Sequence, residues 1–138
     1  MTTSVDSESV LPSPYERACQ GRGDADRGRA VREVLTRIGD KWSLLVIGTL
    51  QRGTLRFGEL QHHIPGISQR MLTLTLRQLE RDGLVSRTVH AEVPPRVQYE
   101  LTSVGATLIE PSIVLAMWAI EHYPSIERNR AAYDDSKR

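Results

Sequence analysis

The chain has 138 residues, 39% of them hydrophobic, and a formal net charge of +1. That is enough for one domain with a core; there is no run of 18 apolar residues to span a bilayer and no basic-then-apolar leader, and a cytoplasmic protein is expected. One cysteine excludes an internal disulfide, and the charge is uneven: residues 1–16 hold Asp6, Glu8 and Glu16 with no Lys or Arg, whereas residues 52–99 hold seven arginines against four acidic groups.

Residues 1–14 are rich in Ser, Thr and acid, with two prolines, and are predicted to be a disordered arm. A folded domain is expected over 15–123 and a polar flexible tail over 124–138. Residues 15–28 contain three glycines and alternating charges, and predict no definite element. From Ala30 the apolar positions Val31, Val34, Leu35 and Ile38 follow a helical spacing, which Gly39 ends. Lys41 to Gln51 is nearly all apolar and predicts a buried helix between Gly39 and Gly53. Arg56 to His63 predicts a short helix with Phe57, Leu60 and Ile64 facing in. Pro65-Gly66 then turns the chain.

Ser68 to Asp82 predicts a helix with Ser68 as N-cap and Gly83 as stop. Leu72, Leu76 and Leu79, with Met71 beside them, form its core stripe. Arg70, Thr73, Leu74, Arg77 and Arg81 lie on the other side. Leu84 to Leu101 alternates with a strand period on both sides of Glu92-Val93-Pro94-Pro95-Arg96, so it predicts a two-stranded ribbon with a Pro-Pro tip. Thr102 or Ser103 caps a final helix reaching about Tyr123, in which Pro111 marks a kink or a restart.

A capped helix with arginine on one face, followed at once by a hairpin, is the layout of a winged helix-turn-helix: mainly α, with a small β-hairpin wing. In that layout the helix fits the DNA major groove and the hairpin reaches backbone or minor groove. Ser68, Gln69, Arg70, Thr73, Leu74 and Arg77 are then the base-side candidates, because 70, 73, 74 and 77 share one face and 68–69 open it. Arg70 or Arg77 suits guanine and Gln69 suits adenine. Leu74 either meets a thymine methyl or packs under the wing. Arg96 at the tip and Arg56 at the short helix are the candidates for wing and phosphate contact. Cys19, between Arg17 and Arg22, is a candidate redox sensor, since nearby positive charge lowers a thiol pKa.

Other chemistries find no support. There is no Gly-rich phosphate loop, no Gly-x-Ser-x-Gly and no carboxylate pair set apart on one helix face, so an enzyme is not expected. His62 and His63 are adjacent, His90 and His122 are distant, and no Cys-x-x-Cys accompanies them, so neither a metal nor another cofactor is predicted. Trp42 and Trp118 read as core or interface residues. Trp118 and Met117 also suit an effector pocket at a dimer seam, with core packing the better reading. The competing function is a winged-helix module for protein–protein contact without specific DNA binding, since a fold does not fix a function.

Four segments in this order resemble the HxlR-type regulators: Ile38-Gly39-Asp40-Lys41-Trp42, Leu55 to Leu60, Ile64 to Thr73, and Val93 to Thr102. The resemblance covers roughly residues 29–122. It implies a bacterial transcription factor, homodimeric through its N- and C-terminal helices. It implies double-stranded DNA as partner, with a palindromic operator and repression rather than activation. It also implies an effector drawn from small molecules, electrophiles or oxidants, often sensed by cysteine. Two departures stand out. The position where the family commonly has cysteine, twelve before Lys41, is Arg29 here. After Met71-Leu72-Thr73 the family often has Gln followed by Arg or Gln, where this chain has Leu74 and Thr75, a change expected to alter base preference.

Overall fold

The computed structural model describes residues 11–19, 24–38 and 40–138. The expected arm therefore lies outside the described residues as far as residue 10, as does the stop at Gly39. The chain divides into one unit ending at Asp40 and another from Lys41 to Arg138.

In the first unit, α1 (Pro14–Cys19) begins inside the expected arm. Ser13 accounts for it: its Oγ accepts from Glu16 N at 3.1 Å, and Pro14 needs no donor at the first helical position. Helix α2 (Asp24–Ile38) starts six residues before the apolar spacing that announces it. Asp26 and Arg29 pair across one turn at 3.1 Å, which supports this polar opening. Val34 and Leu35 on α2 are 51% and 53% exposed.

The second unit is built around α3 (Ser43–Leu50), α4 (Phe57–His63) and α5 (Gln69–Arg81). Val46, Ile47, Leu50, Leu60, Ile64, Ile67, Leu72, Leu76 and Leu79 are buried together with Val85 from the sheet. The leucine stripe read from the sequence is thus the α5 side of the core. Helix α5 has matching ends. Ser68 Oγ accepts from Met71 N at 3.1 Å. At the other end Gly83, at φ +75°, lets its own N–H reach Glu80 O and Leu84 N–H reach Leu79 O. This is a left-handed cap that satisfies two end carbonyls and that a Cβ would strain.

The sheet has three strands rather than two. Strands β2 (Val85–His90) and β3 (Arg96–Leu101) form the expected ribbon, and β1 (Leu55–Arg56) pairs with the outer side of β3. All pairs are antiparallel, with Leu55 opposite Tyr99 and Arg87 opposite Tyr99 on the other flank. Arg56 therefore ends a strand and is at the same time the N-cap of α4, where Glu59 Oε1 accepts its N–H at 2.9 Å.

Thr102 joins the wing to the last helices. Its Oγ1 donates to Gly83 O at 2.6 Å and accepts from Gly105 N at 3.0 Å, capping α6 (Ser103–Ala106). Helix α7 then runs from Ile109 to Ser136, so Pro111 marks a restart, in the first turn. The helix passes Tyr123 and contains Pro124, where the sequence reading places its end and a flexible tail. Proline removes one N–H donor, a cost that a long helix on both sides can offset.

Candidate nucleic-acid interface

Ser68, Gln69, Arg70, Leu74 and Arg77 are all exposed on one side of α5, and Thr73 is half-buried among them. The opposite side of the helix is the buried leucine stripe, so tertiary packing fixes which face looks outward. Ser68 spends its hydroxyl acceptor on the cap, and Thr73 Oγ1 donates to Gln69 O at 2.8 Å. Among the described residues, the side chains of Gln69, Arg70 and Arg77 take part in no hydrogen bond or ion pair, which leaves them for a ligand. Leu74 is 46% exposed, so it does not pack under the wing and stands as an apolar contact among polar ones. Its neighbour Thr75 is fully buried, so the second family departure changes the exposed face at Leu74 and the core at Thr75.

The two arginines expected off the helix sit differently from one another. Arg56 is exposed at the junction of β1 and α4. Arg96 is the first residue of β3 rather than part of the tip, opposite His90. Its guanidinium lies 3.2 Å from Glu92, and only 30% of the side chain is exposed. An incoming phosphate has to share or displace that carboxylate. Cys19 closes α1, and its side chain lies outside the described residues.

Sequence reasoning missed a cleft of about 330 Å³ between α5 and the sheet. Thr73, Leu76, Arg77 and Glu80 line it from the helix, and Arg87 and Tyr99 from the strands. Leu76 gives it an apolar floor, 2% exposed. Among the described residues Arg56, Arg70, Arg77 and Arg87 make no ion pair, nor does Glu80. A signal existed: Arg87 interrupts the Val85–Val89 parity of β2, on the face turned to α5. No group of three or more His, Cys, Asp or Glu side chains gathers as metal ligands among the described residues.

A separate part of the exposed surface is apolar. On α7, Ile113, Met117, Trp118, Ile120 and Tyr123 are each about half exposed or more. Trp118 lies against His122, the rings tilted at 43° with centroids 4.8 Å apart. Trp42, by contrast, packs half-buried against the core.

Known proteins share this arrangement. An uncharacterized HTH-type transcriptional regulator of Methanothermobacter thermautotrophicus is 46% identical over 107 residues, 78% of this chain and 81% of that protein. Among solved structures, the putative transcriptional regulator YtfH of Salmonella typhimurium superposes with a TM-score of 0.66 at 35% identity, covering 73% of this chain and 90% of that one. The redox regulator HypR in its reduced form gives 0.66 at 39% identity, covering 72% and 98%. The model of the HxlR-like helix-turn-helix family matches residues 37–127, which include the whole winged-helix core, and the chain belongs to that family.

Proposed function

We propose that the protein is a sequence-specific transcriptional regulator that binds double-stranded DNA as a homodimer, with α5 in the major groove and the β2–β3 wing alongside. The carboxylate-free face of exposed Gln69, Arg70, Leu74 and Arg77 with half-buried Thr73, on a helix capped at both ends, is the observation that carries this reading. Ser68 and Gln69 open the part of the helix that meets base edges in this motif. Arg56 and Arg96 flank it as phosphate and wing contacts.

Dimerisation follows from the apolar surface left on the outer helices. Around Ile113 to Tyr123, α7 is apolar on most of its circumference, and such a helix is normally buried. By length and hydropathy the helical stretch 103–136 would also suit a bilayer. Glu121 and His122 near its middle oppose that, since a carboxylate at mid-membrane costs about 2.5–3.5 kcal/mol. A second copy supplies an apolar partner without that cost, and Val34 and Leu35 of α2 are a further exposed apolar pair for contact with it. A two-fold dimer implies a palindromic operator with half-sites about 34 Å apart. Repression is the sign of regulation that family precedent favours.

The redox regulator among the similar structures supports an oxidant or electrophile as effector. Cys19 is the chain's one thiol, and a thiol-based signal has to run through it. An effector that changes the spacing of the two reading helices alters DNA affinity, and DNA alters effector affinity by the same factor.

Selection of bound fragments from a random DNA pool, with and without reductant, tests the reading. A palindromic consensus is expected, with recovery that depends on redox state and loses that dependence in Cys19→Ser. No enrichment over bulk DNA under either condition would refute it.

A further inference from the structure

We infer that the cleft between α5 and the wing seats one backbone phosphate of the bound duplex, held jointly by Arg77 from the helix and Arg87 from β2. This inference rests on the DNA-binding reading above and assigns a role to Arg87, which the sequence reading left without one.

Two guanidinium groups line one cleft, and neither has a carboxylate within ion-pair distance among the described residues. Like charges in a shared, partly enclosed space repel, and an anion between them removes the repulsion. Glu80 also lines the cleft, leaving a net charge of +1. A phosphodiester carries one negative charge, whereas a free phosphate or monoester carries close to two at neutral pH. The charge of the cleft therefore matches a nucleic-acid backbone. Guanidinium forks bind phosphate oxygens in pairs, and the half-buried Tyr99 and Thr73 complete a polar wall above the apolar floor of Leu76.

The two arginines stand on different elements, but those elements are rigidly joined. Leu76, Leu79 and Val85 are buried in one core, and the α5 cap runs directly into β2. A phosphate held by both thus fixes the angle at which α5 meets the groove. Contacts of this kind set register and carry no base information. Arg77 lies more than two turns into α5, away from the N-terminal part that meets bases, which suits that role.

The test is operator and non-operator affinity measured across a salt series for wild type, Arg77→Gln, Arg87→Gln and the double variant. Arg77 and Arg87 are exposed, and glutamine keeps much of each stem. Each single variant is expected to bind every sequence about tenfold more weakly. Each should also keep the wild-type salt slope, because the remaining guanidinium still neutralises the phosphate. The double variant should flatten that slope by about 0.9, one phosphate's worth. A drop of about 0.9 in each single variant would mean two separate phosphates and overturn the shared seat. Relaxed preference at one base pair in Arg77→Gln would overturn it in favour of base reading. Saturable binding of inorganic phosphate to the DNA-free protein, lost in Arg87→Gln, would give the cleft to a free anion. Wild type that binds no DNA would sink the DNA-binding reading and this inference with it, whereas the other failures leave that reading standing.

Discussion

Gly105→Ala is the substitution for which the structure gives the sharpest expectation. A Cβ built at Gly105 would lie 1.9 Å from Leu84 O, 2.9 Å from Leu84 C and 3.3 Å from Leu84 Cα. A carbon–oxygen contact needs about 3.3 Å, so the backbones must part by more than 1 Å. The atom in the way cannot swing aside, because it is main chain. Leu84 O accepts from Thr102 N at 3.1 Å, and Leu84 N–H closes the α5 cap on Leu79 O. Forced overpacking costs about 1–3 kcal/mol, and here the upper end applies. A lost hydrogen bond adds about 1 kcal/mol, and the better helix propensity of alanine returns about 1 kcal/mol. The net destabilisation is about 3 kcal/mol, or a fall in Tm of about 10–20 °C for a domain of this size. Thermal and urea unfolding followed by circular dichroism measure it, with Gly48→Ala as the control. A Cβ at Gly48, in α3, meets nothing within 4 Å, so the same change there should raise stability by about 0.5–1 kcal/mol. If Gly105→Ala melted within 2 °C of wild type, the proposed close packing of α6 on the start of β2 would be wrong.

Three further outcomes are expected. Ser68→Ala removes the Met71 N–H acceptor and should cost about 1 kcal/mol of stability in a urea titration; an unchanged midpoint would show that the cap contributes nothing. Glu92→Gln releases Arg96 from its 3.2 Å pair, so non-specific DNA affinity should rise and the salt slope should steepen by about one unit if Arg96 reaches a phosphate. An unchanged slope would leave Arg96 out of the interface. Ile120→Asp places a charge on a residue 70% exposed in the single chain, which should leave the monomer's fold intact and shift sedimentation from dimer to monomer. Retained dimerisation would exclude that part of α7 from the seam.

Helix α5 was legible in the sequence because three independent signals agree on it. Ser68 caps it, the leucines repeat with helical period, and Gly83 stops it. Each signal is local, and the core selects the same face that the period does. Strand β1 was not legible, because two residues carry no period and their partners, Gln98 and Tyr99, lie more than forty positions away. Arg56 was read only as a helix start for the same reason. The C-terminal half of α7 was misread as a tail because residues 124–138 are polar. Three acidic and four basic residues over 124–138 made the segment look like a tail, although an exposed helix accommodates them equally well. Most of the exposed α5 face was recovered from the helical period, while Arg87 was not, because its importance comes from standing beside Arg77, ten positions earlier.

That juxtaposition depends on one small node. The end of α5, the start of β2, the end of β3 and the start of α6 meet at Gly83, Leu84, Thr102 and Gly105. Thr102 holds two of these elements through Gly83 O and Leu84 O, and Gly105 allows the third to approach without a side chain between them. Hairpins of two strands are marginal alone and need a further surface to be ordered. Here β1 covers one flank of the ribbon and the node anchors its base, while the tip at 92–95 stays exposed. The order of the wing is therefore greatest at the end nearest α5, where Arg87 and Tyr99 lie, and least at the tip. A contact meant to fix the angle of the reading helix belongs at the anchored end, and an adaptable reach toward a neighbouring groove belongs at the tip.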